Sequence, residues 1–193
     1  MTTKPRTATV ARETTETQVT LTLNIDGEGN STIDTGIKFF NHMLALFAKH
    51  GKMDLEVTAT GDLQHHLVED VGIVLGQAFV EALGKKTGIE RYGMSFVPMD
   101  ESLARAVVDF SGRPYVVLHV DVQKVRVEDM QAEDFKHFLE SFGLNAAMNL
   151  HIELLYGENE HHEIEAITKA LARAIKQAVK ITGKGIPSTK GRL

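Results

Sequence analysis

Apolar positions recur along this chain in two rhythms. In KFFNHMLALFAKHG, Phe39, Phe40, Met43, Leu44 and Phe47 fall at helical spacing, and the run stops at Gly51. EDFKHFLESFG repeats the pattern with Phe135, Phe138, Leu139 and Phe142, and stops at Gly143. Two longer helical patterns follow, over roughly 66–84 (Val68, Ile73, Leu75, Phe79, Leu83) and 162–181 (Ile164, Ile167, Leu171, Ile175, Val179). Strand-like stretches cover 18–25, 31–35, 55–59, 104–109, 115–122 and 150–155. This order predicts an α+β fold of two similar half-domains, each a small β-sheet packed against two helices. One domain spans 1–193, with half one at about 14–93, half two at about 98–183 and a C-terminal tail at 184–193. Thr87–Gly93 reads as the connection, Arg12–Thr17 as the edge before a strand, and Pro98–Glu101 as a turn.

The periodicity doubles in its chemistry as well. GDLQHHLVED begins at Gly61 and GENEHHEIEA at Gly157, 96 residues on, and both read G-x-x-x-H-H-x-x-E. With 9 His in 193 residues, two such motifs in matching context are not a product of chance. Each has a histidine upstream in the shorter helical run: His42 lies 23 residues before His65, and His137 lies 24 before His161.

Composition narrows the chemistry. Hydrophobic residues make up 42% and charged residues 24%, which is ordinary globular usage. There is no cysteine, so thiolate nucleophiles, thiolate ligands and disulfides are excluded, and a metal would have to use His, Asp or Glu. A net charge of −5 argues against nucleic acid as a partner. No apolar run approaches the ~18 residues of a membrane span, and MTTKPRTATVARETT lacks the apolar stretch of a signal peptide. The expectation is a soluble, cytoplasmic protein.

On a helix, His65 and His66 each share a face with Glu69, and His161 and His162 with Glu165. Imidazole with carboxylate suits Mn²⁺, Fe²⁺, Zn²⁺ or Ni²⁺. Neighbouring histidines diverge by about 100°, so the economical reading is two metals with each pair feeding both. His42 and His137 complete a set of six His and two Glu, or four ligands per metal. Octahedral ions would keep open positions, as catalysis needs. The HH starts lie at helix ends, near a domain's rim, so joining half one of one chain to half two of another would complete both sites. Apart from this set, Arg91, the turn Ser111-Gly112-Arg113-Pro114 and the tail Ile186–Gly191 combine into a phosphate cradle, or else remain three solvated loops.

These residues resemble imidazoleglycerol-phosphate dehydratases over about 10–190. The resemblance is carried by Glu16-Thr17, T-G-I-x-F-F-N-H-M-L (Thr35–Leu44), H-H-x-x-E-D (His65–Asp70), P-M-D-E (Pro98–Glu101), S-G-R-P (Ser111–Pro114), H-H-x-I-E-A (His161–Ala166) and P-S-x-K-G (Pro187–Gly191). It implies two Mn²⁺ ions per active site, bound between subunits of a homo-oligomer of 24. It implies His42, His65, His66, Glu69, His137, His161, His162 and Glu165 as metal ligands. Arg91, Arg113, Ser188, Thr189 and Lys190 would hold substrate phosphate, and Glu16 would be a catalytic carboxylate touching substrate, with Glu69 or Glu165 as alternative proton carriers. The implied reaction dehydrates imidazole glycerol phosphate to imidazole acetol phosphate through a metal-bound imidazolate and a diazafulvene-like intermediate. Two departures stand out: Asn41-His42-Met43-Leu44-Ala45-Leu46 where relatives often carry D-H-M-L-D-Q, and Leu63-Gln64 where many carry two Asp. Arg192 occupies a usually small or apolar place. A phosphate-ester metallohydrolase or a metal-storage shell are the competing readings. The first needs a metal-bound water near phosphorus, and the second has no use for a cradle.

Overall fold

A computed structural model of the chain describes residues 5–123, 125–191 and 193. Their strands and helices are β1 (Thr7–Glu13), β2 (Thr17–Asn24), β3 (Ser31–Asp34), α1 (Lys38–Gly51), β4 (Asp54–Gly61) and α2 (Gln64–Leu83), followed by β5 (Tyr92–Met99), β6 (Ser102–Asp109), β7 (Tyr115–His119), β8 (Arg126–Val127), β9 (Met130–Gln131), α3 (Ala132–Asn145), β10 (Asn149–Tyr156) and α4 (Glu160–Ala178). The expected repeat is realised as one topology drawn twice. The sheets run β1-β2-β4-β3 and β5-β6-β10-β7, with one parallel pair in each, β3 with β4 and β7 with β10. In both, the parallel pair needs a crossover, which α1 and α3 supply.

Two edge strands escaped the sequence reading. β1 buries Ala8 alone and turns Val10 and Arg12 to the same side half-buried, so its inward face is a weak apolar alternation of small residues ending in a charge. In β5 the large residues Tyr92, Met94 and Phe96 face outward, whereas Gly93 faces α4. A Cβ at Gly93 would lie 1.9 Å from the Ala174 carbonyl, so the inward face has to be small at that end of the strand. The apolar alternation is therefore inverted, and β5 reads as linker plus turn. The turn itself is confined to Asp100–Glu101, with Asp100 at φ 47°.

The helices exchange partners between halves: α1 packs on α4, and α2 on α3. Phenylalanines fill the seam. Phe40 meets Phe138 edge to face with centroids 5.1 Å apart, and Phe47 meets Phe142 at 5.8 Å. Phe40, Phe79, Phe135 and Phe142 are wholly buried there. Gly76 lets α2 approach closely, since a Cβ there would stand 2.6 Å from the Ala146 backbone nitrogen.

Candidate metal-binding active site

Each H-H-x-x-E motif opens its long helix. Asn159 caps α4, its side chain accepting from the backbone N–H of His161 and His162 at 3.0 and 3.3 Å. Gln64 opens α2 and reaches across to the second half, donating to the Asp129 carbonyl and accepting from Gln131 N. Asp129 in turn accepts from Lys38 N and Phe39 N at the start of α1. The residue that departs from the common pattern thus locks the β8–β9 segment onto both helix starts. Leu46, the other departure, packs against the core.

Three donors converge twice. His42 on α1 meets His161 and Glu165 on α4, and His137 on α3 meets His65 and Glu69 on α2, each set with its ligand atoms within 4.8 Å of one another. Because α1 and α3 hold equivalent places in their halves, as do α2 and α4, these are one arrangement made twice. Both are built within one chain, from helices of both halves. Joining half one of one chain to half two of another is the economical expectation from the sequence; for these six residues it is not needed, because the helix seam draws the halves' helix starts together within one chain. His66 and His162 stay outside the two sets; His162 groups instead with Asp100 and Glu101.

The spacing suits a divalent cation. Glu165 Oε1 lies 3.0 Å from His42 Nε2 and 3.2 Å from His161 Nε2. Adjacent ligands on an ion with bonds of about 2.1 Å stand about 3 Å apart. In the other set the rings of His65 and His137 lie 4.5 Å apart, and His137 Nδ1 is buried with no hydrogen-bond partner among the described residues. An orphaned ring nitrogen among other donors is what a metal would satisfy.

Carboxylates fix the ring orientations. Nδ1 of His65 lies 3.1 Å from Asp134, of His66 2.9 Å from Asp62, of His161 3.1 Å from Glu128 and of His162 2.8 Å from Glu101. A carboxylate accepts, so in His65, His66 and His162 the proton sits on Nδ1 and Nε2 presents its lone pair, whereas both nitrogens of His161 face carboxylates and its Nε2 would present a lone pair only to a cation standing between it and Glu165. The hydrogen bond from His162 holds the Glu101 carboxyl at about 2, and the one from His66 lowers Asp62. The same bonds raise His66 and His162 above the ordinary range, so a cation there must displace a proton. Burial pushes the Glu165 carboxyl up, but hydrogen bonds from Lys169 at 2.5 Å and from His42 outweigh it and hold it at about 2.

The cradle residues gather at the opposite end of the long helices. Arg91 donates through Nε and Nη2 to Asp109 at 2.7 and 3.1 Å, and through Nη1 to the Pro187 carbonyl at 2.9 Å, which pins the tail beside it. Two of its five N–H groups remain for an anion. Ser188 Oγ accepts from Lys190 N, and Leu193 packs against Gly112 beside the exposed Arg113. Thr189 and Lys190 are exposed. Arg192 lies outside the described residues. Arg91 N donates to the Ala178 carbonyl, so this group adjoins the last residue of α4. From Glu165 to Ala178 the helix rises about 20 Å.

Residues 35–175 match the profile of the imidazoleglycerol-phosphate dehydratase family. The chain belongs to the imidazoleglycerol-phosphate dehydratase family. Curated dehydratases of that name from Leuconostoc mesenteroides (52% identical, covering 97% of this chain and 99% of the relative) and Methanococcoides burtonii (53%, 97% and 100%) are similar along their whole length. The crystal structure of the Staphylococcus aureus dehydratase superposes with a TM-score of 0.83 at 40% identity, covering 92% of this chain and 99% of that one. That of the Pyrococcus furiosus enzyme, in complex with (S)-C348, gives 0.84 at 35%, covering 95% and 100%.

Membership makes the chain a hydro-lyase of histidine biosynthesis. Several residues around the dehydratase motifs went unnoticed in the sequence. Asp70, the last letter of H-H-x-x-E-D, accepts from Thr17 Oγ1 and from Arg12 Nε at 2.8 Å, and so ties α2 to the hairpin that carries Glu16. Asp62 was legible as the residue one turn before His66. Asp134 and Glu128 were not, because only the fold brings them to their histidines. Beside the cradle, Lys86 is buried and donates to the Phe110 carbonyl at 3.2 Å, and burial pushes its ammonium down.

Proposed function

We propose that the chain dehydrates imidazole glycerol phosphate to imidazole acetol phosphate in the cytoplasm, with two Mn²⁺ ions per active site, and that each site is completed between copies of the chain in an assembly of 24 subunits. The observation that carries this reading is the distance between the donor sets and the cradle. The substrate's ring and phosphate are separated by a three-carbon chain, on the order of 5–7 Å. Within one chain the donors around Glu165 and the cradle beside Ala178 are about 20 Å apart. One substrate can reach both only where the cradle of one copy faces the donors of another.

His42, His161 and Glu165 would hold one ion, and His65, Glu69 and His137 the other, with His66 and His162 left to complete the sites. When bound, the ions would supply Lewis acidity at the substrate's ring nitrogens. Arg91, Arg113, Ser188, Thr189 and Lys190, with the tail 184–193 as the substrate-binding segment, would fix the phosphate by charge-assisted hydrogen bonds and so orient the chain for elimination. Glu16 stands at the β1–β2 turn, 3.7 Å from His66 Nδ1, with its side chain 55% exposed. It is the carboxylate free to take the proton from the carbon next to the one that loses hydroxide.

Mn²⁺-loaded protein given imidazole glycerol phosphate should yield the ketone without free phosphate. Glu16→Gln should cut turnover by about 10²–10⁴-fold while keeping metal and substrate affinity. Near-normal turnover would move the proton to another carboxylate, and release of free phosphate would favour a phosphate-ester hydrolase.

A further inference from the structure

The two halves treat one carboxylate in opposite ways. β1 turns into β2 and β5 into β6, and Glu16 and Glu101 each sit directly ahead of the first residue of the second strand, Thr17 and Ser102. Glu101 is engaged three times: Ser102 Oγ and Asn159 N donate to its Oε1 at 3.0 Å each, and His162 Nδ1 lies 2.8 Å from its Oε2. In the first half each corresponding donor has gone elsewhere. Thr17 donates to Asp70, whose counterpart in the second motif is Ala166. Leu63 N, at the place of Asn159 N, donates to Asp62 at 2.7 Å. His66 Nδ1 is 2.9 Å from the same Asp62. Among the described residues the Glu16 carboxylate keeps only the 3.7 Å approach to His66.

We propose that Glu101 is a positioning residue that holds His162 with its proton on Nδ1 and its Nε2 free for a metal ion, and that in the first half Asp62 has taken over this task while Asp70 has taken the Thr17 donor, which together release Glu16 for proton transfer. The second clause rests on the Glu16 assignment above; the first does not. An ionised carboxylate can only accept, so a Glu101 bound on three sides presents one fixed acceptor to His162. The duplication has turned one position into a fixed support in one half and an uncommitted group in the other. Asp62 makes this possible because it sits one helical turn before His66 and faces it.

Mn²⁺ titration calorimetry and imidazole ¹⁵N spectra of the metal-free protein test this on Glu101→Gln, Glu101→Asp and Glu16→Gln. Glu101→Gln should weaken one class of Mn²⁺ site by about 10–100-fold and shift His162 away from the Nδ1–H tautomer. Glu101→Asp should regain most of both, and Glu16→Gln should alter neither. Unchanged Mn²⁺ affinity and tautomer in Glu101→Gln would overturn the positioning role. If that variant does not fold, Asp62→Ala serves instead. Deprived of Asp62, His66 should draw Glu16 into its place, so turnover falls while Mn²⁺ binding is kept; unchanged turnover would overturn the release of Glu16. Full turnover in Glu16→Gln would remove the acid–base assignment and leave the Mn²⁺ result for Glu101 standing.

Discussion

Asp134 Oδ1 lies 3.1 Å from His65 Nδ1, so a carboxylate at the start of α3 sets the ring orientation of a histidine at the start of α2. Asp134 is buried, and its Oδ2 has no hydrogen-bond partner among the described residues. Asp134→Asn should therefore weaken one of two Mn²⁺ sites by about 10–100-fold and spare the other. A titration showing two sites still equal would remove this support from His65.

Exhaustive chelation should abolish turnover, and Mn²⁺ should restore it. Since binding energy at a shared site is association energy, the metal-free protein should be a smaller particle than the Mn²⁺-loaded one. Light scattering with and without chelator reads this directly. Full activity in a monomer would mean that one chain completes its own sites.

Two variants impaired in different ways should rescue one another. On the proposed assignments Lys190→Ala would lack a cradle contact, and His66→Ala would lack a metal donor that lies outside both three-donor sets. Arg113→Ala or Lys190→Ala should each weaken substrate binding by about 1.5–3 kcal/mol without releasing metal. Co-assembled Lys190→Ala and His66→Ala chains, dissociated by chelation and re-formed with Mn²⁺, should regain turnover, because a fraction of their sites then pairs an intact cradle with intact donors. No recovery in demonstrably mixed particles would place both groups of residues in one chain's site.

Phe138 packs against Phe40 across the seam between halves and against Phe142 one turn along α3. Phe138→Ala should cost about 3–5 kcal/mol, read by denaturant titration. It should also lower metal affinity, because His137 is its neighbour on α3.

The metal-free protein should lose stability in acid over a defined window. Glu101 and Glu165 are each held at about 2 against an ordinary value of 4.5. A depressed folded pKa stabilises the protein above the unfolded value, and that contribution fades as pH falls from 4.5 toward 2. Lys169→Met removes a cation hydrogen-bonded to Glu165, so its acid midpoint should lie at higher pH than the parent's. An unchanged midpoint would mean that this ion pair contributes nothing to the acid limb.

The helices were legible because each carries a wide apolar stripe with a Gly stop, and all four expected helical runs lie within observed helices to a few residues. The donor sets were legible because duplication wrote H-H-x-x-E twice with an upstream His at matching distance. What periodicity could not show was β5, whose inward face is kept small by α4, and which donor meets which. The match of His42 with His161, and of His65 with His137, follows from helix pairing across the halves, information held in long-range packing. Asp134 and Glu128 were hidden for the same reason: nothing local marks an acid that serves a histidine tens of residues away in sequence.

The reciprocal packing of α1 on α4 and α2 on α3 is a two-fold contact in which each half uses the same surface toward the other. A half-length chain with this sequence pattern would have had to form a pair to bury its phenylalanines and gather three donors. The present chain is such a pair fused through the stretch after Leu83. Fusion freed the two copies from having to be identical. On the roles proposed above, that freedom would let one hairpin acid serve as a strut and the other as a reagent, and a chain cut between Gly84 and Glu90 should reassemble from its two pieces as separate folding partners.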